Sequence, residues 1–487
     1  MTDSTDSSID PAAIERSRRE RIVIDASARG PIIHWLASAI FWLLLGTLLA
    51  LGASVKLHDP EFLANNPWLT FGRVRPAHLN TMVYGWASGA CVGVGLWIMS
   101  RLCRAPLRHG WSLHIAAVFW NIGNAVGTWG ILSGGSLSME WLEYPAGAAP
   151  WLLAAFAVAT WQGVDMIRRR PPGHIYVSQW YLFASLFWFP MLYATAQVLL
   201  VWKPVAAPAQ PPINWWYAHN VLGLWFTPVC LAAAYYLIPK VIGKPIHSYF
   251  LSMIGFWSLA FFYAWNGMHH LIGGPYPAWL ISVSVAASVM MLVPVITVAV
   301  NHHFTMIGNF GALRWSPTLR FVVFAAMSYT VVSVQGSLTA VRAVNRITHF
   351  THYTVAHAHL GMYAFVTMML FGAIYYMMPR LLDREWPSAA LIRVHFWCSA
   401  VGVLFYWGAL SYGGLEQGLN LQNPDMPFMD IIARTLPYLR MRTWAGVLMT
   451  VGHLAFATSF LLMLFGKVRV VSTPTLFIRP TAKTNPA

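Results

Sequence analysis

Apolar segments long enough to cross a lipid bilayer recur along the whole of this 487-residue chain. A membrane-spanning helix needs about 20 predominantly apolar residues, because each residue advances the helix by about 1.5 Å. Twelve segments meet this length, near residues 32–55, 77–100, 111–134, 147–167, 175–200, 213–238, 248–271, 277–301, 317–341, 351–378, 389–412 and 442–466. Inside a bilayer the backbone N–H and C=O groups must be hydrogen-bonded within the protein, so we expect an all-α membrane protein of twelve helices.

The charged residues agree with this interpretation and indicate an orientation. They make up 10% of the chain, against about 25% in soluble domains. The net charge of +15 arises in short loops, which argues against a nucleic-acid partner, and the terminal side of the spans carries 20 Lys and Arg against 9 on the other side. The positive-inside rule then places both termini in the cytoplasm, as in a multi-pass protein of the bacterial inner membrane. We expect an N-terminal tail over 1–31, a twelve-helix core over 32–466 and a C-terminal tail over 467–487.

Histidine is concentrated in one segment, HFTHYTVAHAH at 349–359, which leads into the tenth span. His357 and His359 are two residues apart, a rotation of about 200° on an α-helix, so their rings point to opposite sides. One helix can therefore offer a nitrogen ligand to two different metal centres. Four further histidines lie at a similar membrane depth on three other spans: His78, His219, His269 and His270.

Neutral, planar imidazole suits copper and haem iron as a ligand. His219 and the adjacent pair at 269–270 can form a three-nitrogen copper site that leaves one coordination position open for a substrate. His78 and His359 can hold one six-coordinate haem from both sides. His357 can hold a second haem whose free sixth position faces the copper. This arrangement predicts a two-metal pocket for a small diatomic gas, with electrons supplied by the adjacent haem.

The segments around these histidines resemble the catalytic subunit of the haem–copper oxidase superfamily, and most of all that of the cbb3-type cytochrome c oxidase. They are GRVRPAHLNTMVYGW, WWYAHNVLGLWFTP, YAWNGMHHL and HFTHYTVAHAHLG, and the resemblance runs from about residue 32 to 466. It implies the haem–copper oxidase subunit I fold and an enzyme that reduces O2 to water with electrons from cytochrome c. The ligand sets that it implies are low-spin haem b on His78 and His359, haem b3 on His357, and CuB on His219, His269 and His270.

The position of the catalytic tyrosine separates the branches of this superfamily. Most members place a tyrosine four residues after the first copper histidine, where this chain has Gly223. The cbb3 type takes its tyrosine from the next helix, six residues before the histidine pair, and that position is Tyr263. The resemblance implies that Tyr263 is covalently joined to His219 and gives an electron and a proton when the O–O bond breaks.

Two other functions are compatible with several membrane histidines. Nitric oxide reductases of the same superfamily have a glutamate at the position of Gly223 and line their pocket with acids, whereas here Asp165 is the one acid placed in a predicted span. A non-redox transporter would bind its ion through histidines, with helix-breaking Gly or Pro pairs at mid-membrane and no second haem histidine. Oxygen reduction is therefore the leading interpretation, and a Soret band would separate it from transport.

Proton uptake must then use hydroxyls, amides, histidines and water. Ser252 is eleven residues before Tyr263, three helical turns along one face, and Tyr329 on the ninth span is another candidate. The family pattern has a glutamate six residues after this tyrosine, where the chain has Gln335. Glutamine hydrogen-bonds but does not ionise. For Ser252, tying helices together is an equally good explanation.

The outer loop SMEWLEYPAG contains Glu143, which matches a family glutamate near the haem propionates at which calcium can bind. An ordinary solvated loop acid is the alternative. Four outer cations can pair with propionates or anchor the membrane edge: Arg73, Arg75, Arg342 and Arg346. The chain has no CxxCH haem-attachment motif, so electrons must come from other subunits. The resemblance implies membrane-anchored c-type cytochromes, with soluble cytochrome c as the ultimate donor and proton pumping coupled to turnover.

Overall fold

The computed structural model describes residues 11–466, and in that range it is built from helices without a β-strand. Twelve long helices follow one another: α1 Pro11–Lys56, α2 Phe71–Leu102, α3 Gly110–Leu132, α4 Ala149–Arg169, α5 Val177–Trp202, α6 Ala207–Ile242, α7 Tyr249–Tyr263, α8 Ala278–Met306, α9 Pro317–Ala340, α10 His352–Leu382, α11 Ala389–Leu421 and α12 Phe428–Phe465. A short helix over Arg342–Thr348 joins α9 to α10. The prediction of an all-α protein with twelve membrane helices is confirmed.

Ten of these helices are long and apolar enough to cross a bilayer by length and composition. The other two are α4, which carries the polar residues Gln162 and Asp165, and α7, whose regular helix has 15 residues. The span predicted at 248–271 therefore stops being an α-helix at Tyr263. A tight turn of 3₁₀-helix over Met268–Leu271 follows it, and this turn carries the histidine pair.

Several helices run beyond the predicted membrane boundaries. α1 begins at Pro11, so the described part of the predicted tail is helical, and Asp25 within it is tied to Arg101 on α2 by an ion pair of 2.7 Å. α11 and α12 extend well past the predicted limits of 412 and 442, and the Tyr438 hydroxyl donates to a Glu416 carboxylate oxygen at 2.7 Å between them. Residues 1–10 and the tail at 467–487 lie outside the described residues.

Three helices form the centre of the bundle. In the most apolar stretches of α2, α6 and α10, 94%, 94% and 89% of the residues are buried, against 39–56% in the other seven spans that meet the criteria. The chain enters all three from the same end of the bundle, which we call the site end. The end at which α1 and α11 begin is called the opposite end. The innermost helices thus carry four of the six predicted ligand histidines in their first halves: His78, His219, His357 and His359.

Each central helix changes from α- to π-helical winding shortly after its histidines. The π segments are Thr81–Ser88 on α2, Leu222–Phe226 on α6 and Leu360–Thr367 on α10. A π turn hydrogen-bonds residue i to i+5 and widens the helix, and such turns are frequent at functional sites. All three helices therefore depart from regular geometry at the depth where the histidines meet.

Candidate metal centre

Three histidines converge between α6 and the turn that follows α7. One ligand nitrogen from each of His219, His269 and His270 lies within 4.8 Å of the others. Their ring centroids are 4.7 Å apart for 219 and 269, 5.5 Å for 219 and 270, and 4.4 Å for 269 and 270. Three imidazoles this close form a donor set for one transition-metal ion. The turn that carries two of them follows the end of α7 at Tyr263.

The histidine pair is held in place from two sides. Nδ1 of His269 lies 3.2 Å from the Ser284 hydroxyl and 3.0 Å from the Ser288 hydroxyl, both on α8, which leaves Nε2 for a metal. The ring of His270 stacks on Trp215 at 4.2 Å between centroids. Gly267 enters this turn at φ 118°, and a Cβ there would lie 2.4 Å from the Trp215 carbonyl oxygen. Only glycine lets the chain approach α6 so closely.

Tyr263 lies directly beside this cluster. Its ring is 5.0 Å from that of His219, and it occupies the space above Gly223. A Cβ on Gly223 would lie 1.8 Å from Tyr263 Cε1, so the ring can stand there only because residue 223 has no side chain. Residues 223 and 263 are therefore physically coupled, because the Tyr263 ring fills the space that a side chain at residue 223 would need.

His357 completes the cluster from α10. It is close enough to interact electrostatically with all three converging histidines. Its Nδ1 atom is buried and has no hydrogen-bond partner among residues 11–466. A Cβ on Gly336 of α9 would lie 3.1 Å from the His357 ring, so α9 leaves open the side of α10 on which this imidazole lies.

His78 and His359 form a second group. Nδ1 of His78 donates to the Gly46 carbonyl oxygen at 2.9 Å, and Nδ1 of His359 donates to the Val355 carbonyl oxygen at the same distance. The two histidines interact electrostatically with each other. With Nδ1 engaged by the backbone, each ring keeps Nε2 for a metal, which is the arrangement typical of metal-ligating histidines.

These donors fit two haems and a copper ion. Neutral imidazoles are the ligands that both metals accept, and the unpartnered Nδ1 atoms of His219 and His357 are buried polar atoms that need an interaction. One contact has to change on binding, because the Tyr406 hydroxyl lies 3.3 Å from Nε2 of His359, the nitrogen left for iron.

Arg442 was not identified from the sequence. It interacts electrostatically with His78 and His359, and its guanidinium carbon lies 5.6 Å from the centroid of the Tyr406 ring. Its Nε atom is buried and lacks a hydrogen-bond partner within the described range. A half-buried guanidinium beside the second histidine group can pair with a haem propionate, and Arg75 also interacts electrostatically with both histidines. The segment LRMRTW offered a weak signal, because it places two arginines at the start of an apolar run. The arginines lie where the predicted outer loop ends and the last span begins, a position where charged residues are common.

Three of the four outer arginines have protein partners. Arg75 pairs with Glu140 at 3.2 Å, Arg73 donates to the Leu132 carbonyl oxygen at 3.0 Å, and Arg342 donates to the Ser282 hydroxyl at 2.9 Å. They are therefore tied to neighbouring protein groups.

Glu143 is buried rather than solvated. Its side chain is 5% exposed, and it accepts a hydrogen bond of 2.7 Å from the amide of Asn80, two residues after His78. Burial, together with the nearby Glu140 carboxylate, raises the pKa of Glu143 to about 7. A divalent cation would displace that proton. Within residues 11–466 the His219 cluster is the one group of three or more His, Cys, Asp or Glu side chains close enough to hold a metal, so calcium at Glu143 stays a prediction.

The predicted proton-route residues are buried but do not form one continuous chain. Ser252 donates to the Tyr249 carbonyl oxygen at 2.6 Å, as expected for a hydroxyl that stays within its own helix. Tyr329 interacts electrostatically with Tyr263. The Gln335 amide oxygen accepts a hydrogen bond from the Trp407 indole at 3.2 Å, next to the Gly336 that faces His357. Gln335 therefore holds a fixed position beside the cluster.

Comparison with known proteins agrees with the geometry. Residues 31–448 match the family model described as cytochrome c and quinol oxidase polypeptide I. A cytochrome c oxidase subunit 1 homolog of Agrobacterium tumefaciens is 29% identical over 458 residues, covering 90% of this chain and 84% of that protein. The cbb3-type cytochrome c oxidase subunit CcoN1 of Stutzerimonas stutzeri is 28% identical over 437 residues, covering 86% and 91%.

The fold is also similar to a solved structure. A chain of a heme-copper terminal oxidase dimer superposes with a TM-score of 0.69 at 16% identity, covering 94% of this chain and 86% of that one. This likeness concerns the fold alone.

Proposed function

Because the chain belongs to the cytochrome c and quinol oxidase polypeptide I family, we propose that it is the catalytic subunit of a cbb3-type cytochrome c oxidase. It is a multi-pass membrane protein with the subunit I fold, and the family implies haem and copper as cofactors. The proposed reaction is the reduction of O2 to water by electrons from cytochrome c, coupled to proton uptake and pumping.

One observation carries the proposal: three imidazoles converge on a single point beside a phenol that occupies the space above Gly223. His219, His269 and His270 would hold CuB, and His357 would hold haem b3. These groups would supply the electron chemistry, since the reduction of O2 to two waters takes four electrons and four protons. Nitric oxide reduction fits less well, because residue 223 is glycine and the described neighbours of the cluster are aromatic rings and hydroxyls.

Tyr263 would act on the substrate. Its ring lies within 5.0 Å of the His219 ring, and this proximity suits the covalent bond that the family pattern implies between them. The phenolic O–H can give one hydrogen atom, an electron and a proton together, when the O–O bond breaks. Among residues 11–466, Tyr263 is the tyrosine whose ring packs against His219.

His78 and His359 would hold haem b, Arg442 would pair with one of its propionates, and this group would supply one-electron chemistry. The chain has no attachment site for haem c, so the donors would be membrane-anchored c-type cytochrome subunits, supplied by soluble cytochrome c. Both termini would lie in the cytoplasm, as the charge distribution predicts, with the tails at 1–31 and 467–487 on that side of the 32–466 core. The site end would then face the outer side of the membrane, and protons would travel from the opposite end past Ser252 and Tyr329 towards Gln335.

The test is optical. The purified complex should show a reduced-minus-oxidised spectrum of one low-spin and one high-spin b haem, a CO-shifted band from the high-spin haem alone, and one copper per chain by metal analysis. It should consume O2 with reduced cytochrome c as donor. A protein without a Soret band, or one that reduces nitric oxide and not O2, would refute the proposal.

A further inference from the structure

Two buried histidines have no part in the chemistry proposed above. His395 on α11 is 0% exposed and His453 on α12 is 3% exposed. They interact electrostatically with each other. Both also contact the phenyl ring of Phe371, at 4.3 Å and 6.0 Å between ring centroids. Burying an ionisable imidazole inside a membrane bundle costs free energy. A histidine found there without a metal to bind therefore usually has another function.

His453 hydrogen-bonds to α1, whose Gly46 carbonyl accepts from His78, and to α10, which carries His359. Its Nδ1 atom lies 2.8 Å from the hydroxyl of Thr47, the residue after Gly46, whose carbonyl oxygen accepts from His78. Its Nε2 atom lies 2.8 Å from the hydroxyl of Tyr363, one turn after His359. The imidazole therefore lies next to the segments that would hold haem b, and both of its nitrogens are engaged by hydroxyl groups.

The hydrogen-bond pattern accommodates either protonation state of this ring. The Thr47 hydroxyl donates to the Leu43 carbonyl oxygen at 2.7 Å, so it accepts from Nδ1–H. In the neutral ring, Nε2 then accepts from the Tyr363 hydroxyl. In the charged ring, Nε2–H donates to the Tyr363 oxygen, and the Tyr363 O–H turns to the Ser399 hydroxyl, 3.1 Å away. Rotation of one hydroxyl thus keeps every group satisfied.

Polar side chains of α11 lie between the opposite end and His453. His395 is six residues into α11, about 9 Å from the start of that helix, and its Nδ1 atom lies 2.8 Å from the Tyr375 hydroxyl. Its Nε2 atom is buried without a hydrogen-bond partner among the described residues. Ser399 lies one turn further along the same helix and reaches Tyr363. His395 and Ser399 therefore lie on one face of α11, between the opposite end and Tyr363.

We propose that His453 is a redox-linked proton site, which takes up one proton when one electron reaches haem b. The inference rests on the proposed function, because it needs that haem. The electron comes from a c-type cytochrome and reduces ferric to ferrous iron. The proton comes from the aqueous phase at the opposite end, through His395 and Ser399, and binds Nε2. The charge of the buried unit is thereby unchanged, which avoids an uncompensated charge in a low-dielectric interior. When the electron moves on, the proton leaves.

Few other groups near His453 can titrate. α10 contributes Tyr363 and Tyr375, and α11 contributes His395 and Cys398, of which Cys398 interacts electrostatically with Tyr363. α1 contributes Thr47, which does not titrate. Within the described residues the hydrogen-bond partners of His453 are hydroxyl groups, so the imidazole is the group that best holds the added proton.

The midpoint potential of haem b, measured by spectroelectrochemistry of the purified complex between pH 6 and 9, tests this. In the wild type, the ratio of reduced to oxidised haem b at a fixed electrode potential should fall close to tenfold per pH unit, equivalent to about 59 mV. In His453→Gln, which keeps hydrogen bonding but cannot titrate, the change should be less than twofold. The matched control is His114→Gln on α3, whose histidine contacts His34 at 3.1 Å on α1, and it should behave as the wild type.

Tyr363→Phe provides a second variant, since it keeps the imidazole and removes the hydroxyl that turns, and it should also flatten the pH dependence. A wild-type potential independent of pH would overturn the inference whatever the variants do. So would a His453→Gln protein that keeps the wild-type slope. Absence of a low-spin b haem from the wild-type spectrum would be a different failure, since it would overturn the proposed function and this site together.

Discussion

Replacing Gly223 with alanine is expected to displace the Tyr263 phenol and to abolish oxygen reduction while the haems stay bound. The added Cβ would lie 1.8 Å from Tyr263 Cε1, whereas ordinary contact begins at 3.4 Å. Either the ring or the π-helical turn of α6 must therefore shift by about 1.6 Å, and a misplacement of about 1 Å at a reacting group can cost about 100-fold in rate. We expect at least that loss in turnover, with overpacking that destabilises the bundle by about 1–3 kcal/mol.

The measurement is O2 consumption with reduced cytochrome c, normalised to the haem content of the purified complex. Gly408→Ala on α11 is the matched control, because no atom lies within 4 Å of a Cβ at that position. It should keep wild-type turnover. The reasoning fails if Gly223→Ala turns over at the wild-type rate with its haems and copper in place, since the phenol would then not need the space above Gly223.

Three further predictions concern the two histidine groups and Gln335. His78→Ala should remove the low-spin haem spectrum and leave a CO-binding haem, and His357→Ala should do the reverse; CO binding lost in the first variant would contradict the assignment. Tyr263→Phe should fold and bind both haems and copper but lose O2 reduction, which steady-state assays with metal analysis would show; wild-type turnover would exclude the catalytic role. Gln335→Glu should keep the Trp407 hydrogen bond and add a pH-dependent step to turnover, whereas Gln335→Leu should slow proton-coupled reduction. If the pH profile of turnover is unchanged in both Gln335 variants, the Gln335 amide serves only in packing.

Composition and hydropathy alone determined the fold class and most of the helices. A bilayer leaves few alternatives to the α-helix for apolar segments of this length, so the pattern of twelve spans was readable without tertiary information. The spacing of His357 and His359 likewise predicted ligands on two faces of one helix, because helical rotation is a local property. The resemblance of four short segments to one family was also local, and the family match over residues 31–448 confirms it.

The ends of the helices were less predictable. Hydropathy marks where a helix leaves the membrane but not where it stops, so it missed the extension of α1 back to Pro11 and those of α11 and α12 beyond the predicted limits. It also missed the end of α7 at Tyr263. That break depends on contact with another helix, since Gly267 turns against the Trp215 carbonyl.

Only the tertiary structure decided which side chains meet. Gly223 and Tyr263 each look ordinary in their own segments, and their coupling exists because α6 and α7 approach closely enough for one residue to occupy the other's space. His453 gave no comparable sequence signal and Arg442 only a weak one, because a charge or an imidazole on an apolar helix acquires a role from what lies opposite it. Local sequence sets the period and polarity of each helix, whereas the packing of helices distant in the chain decides which polar atoms are paired.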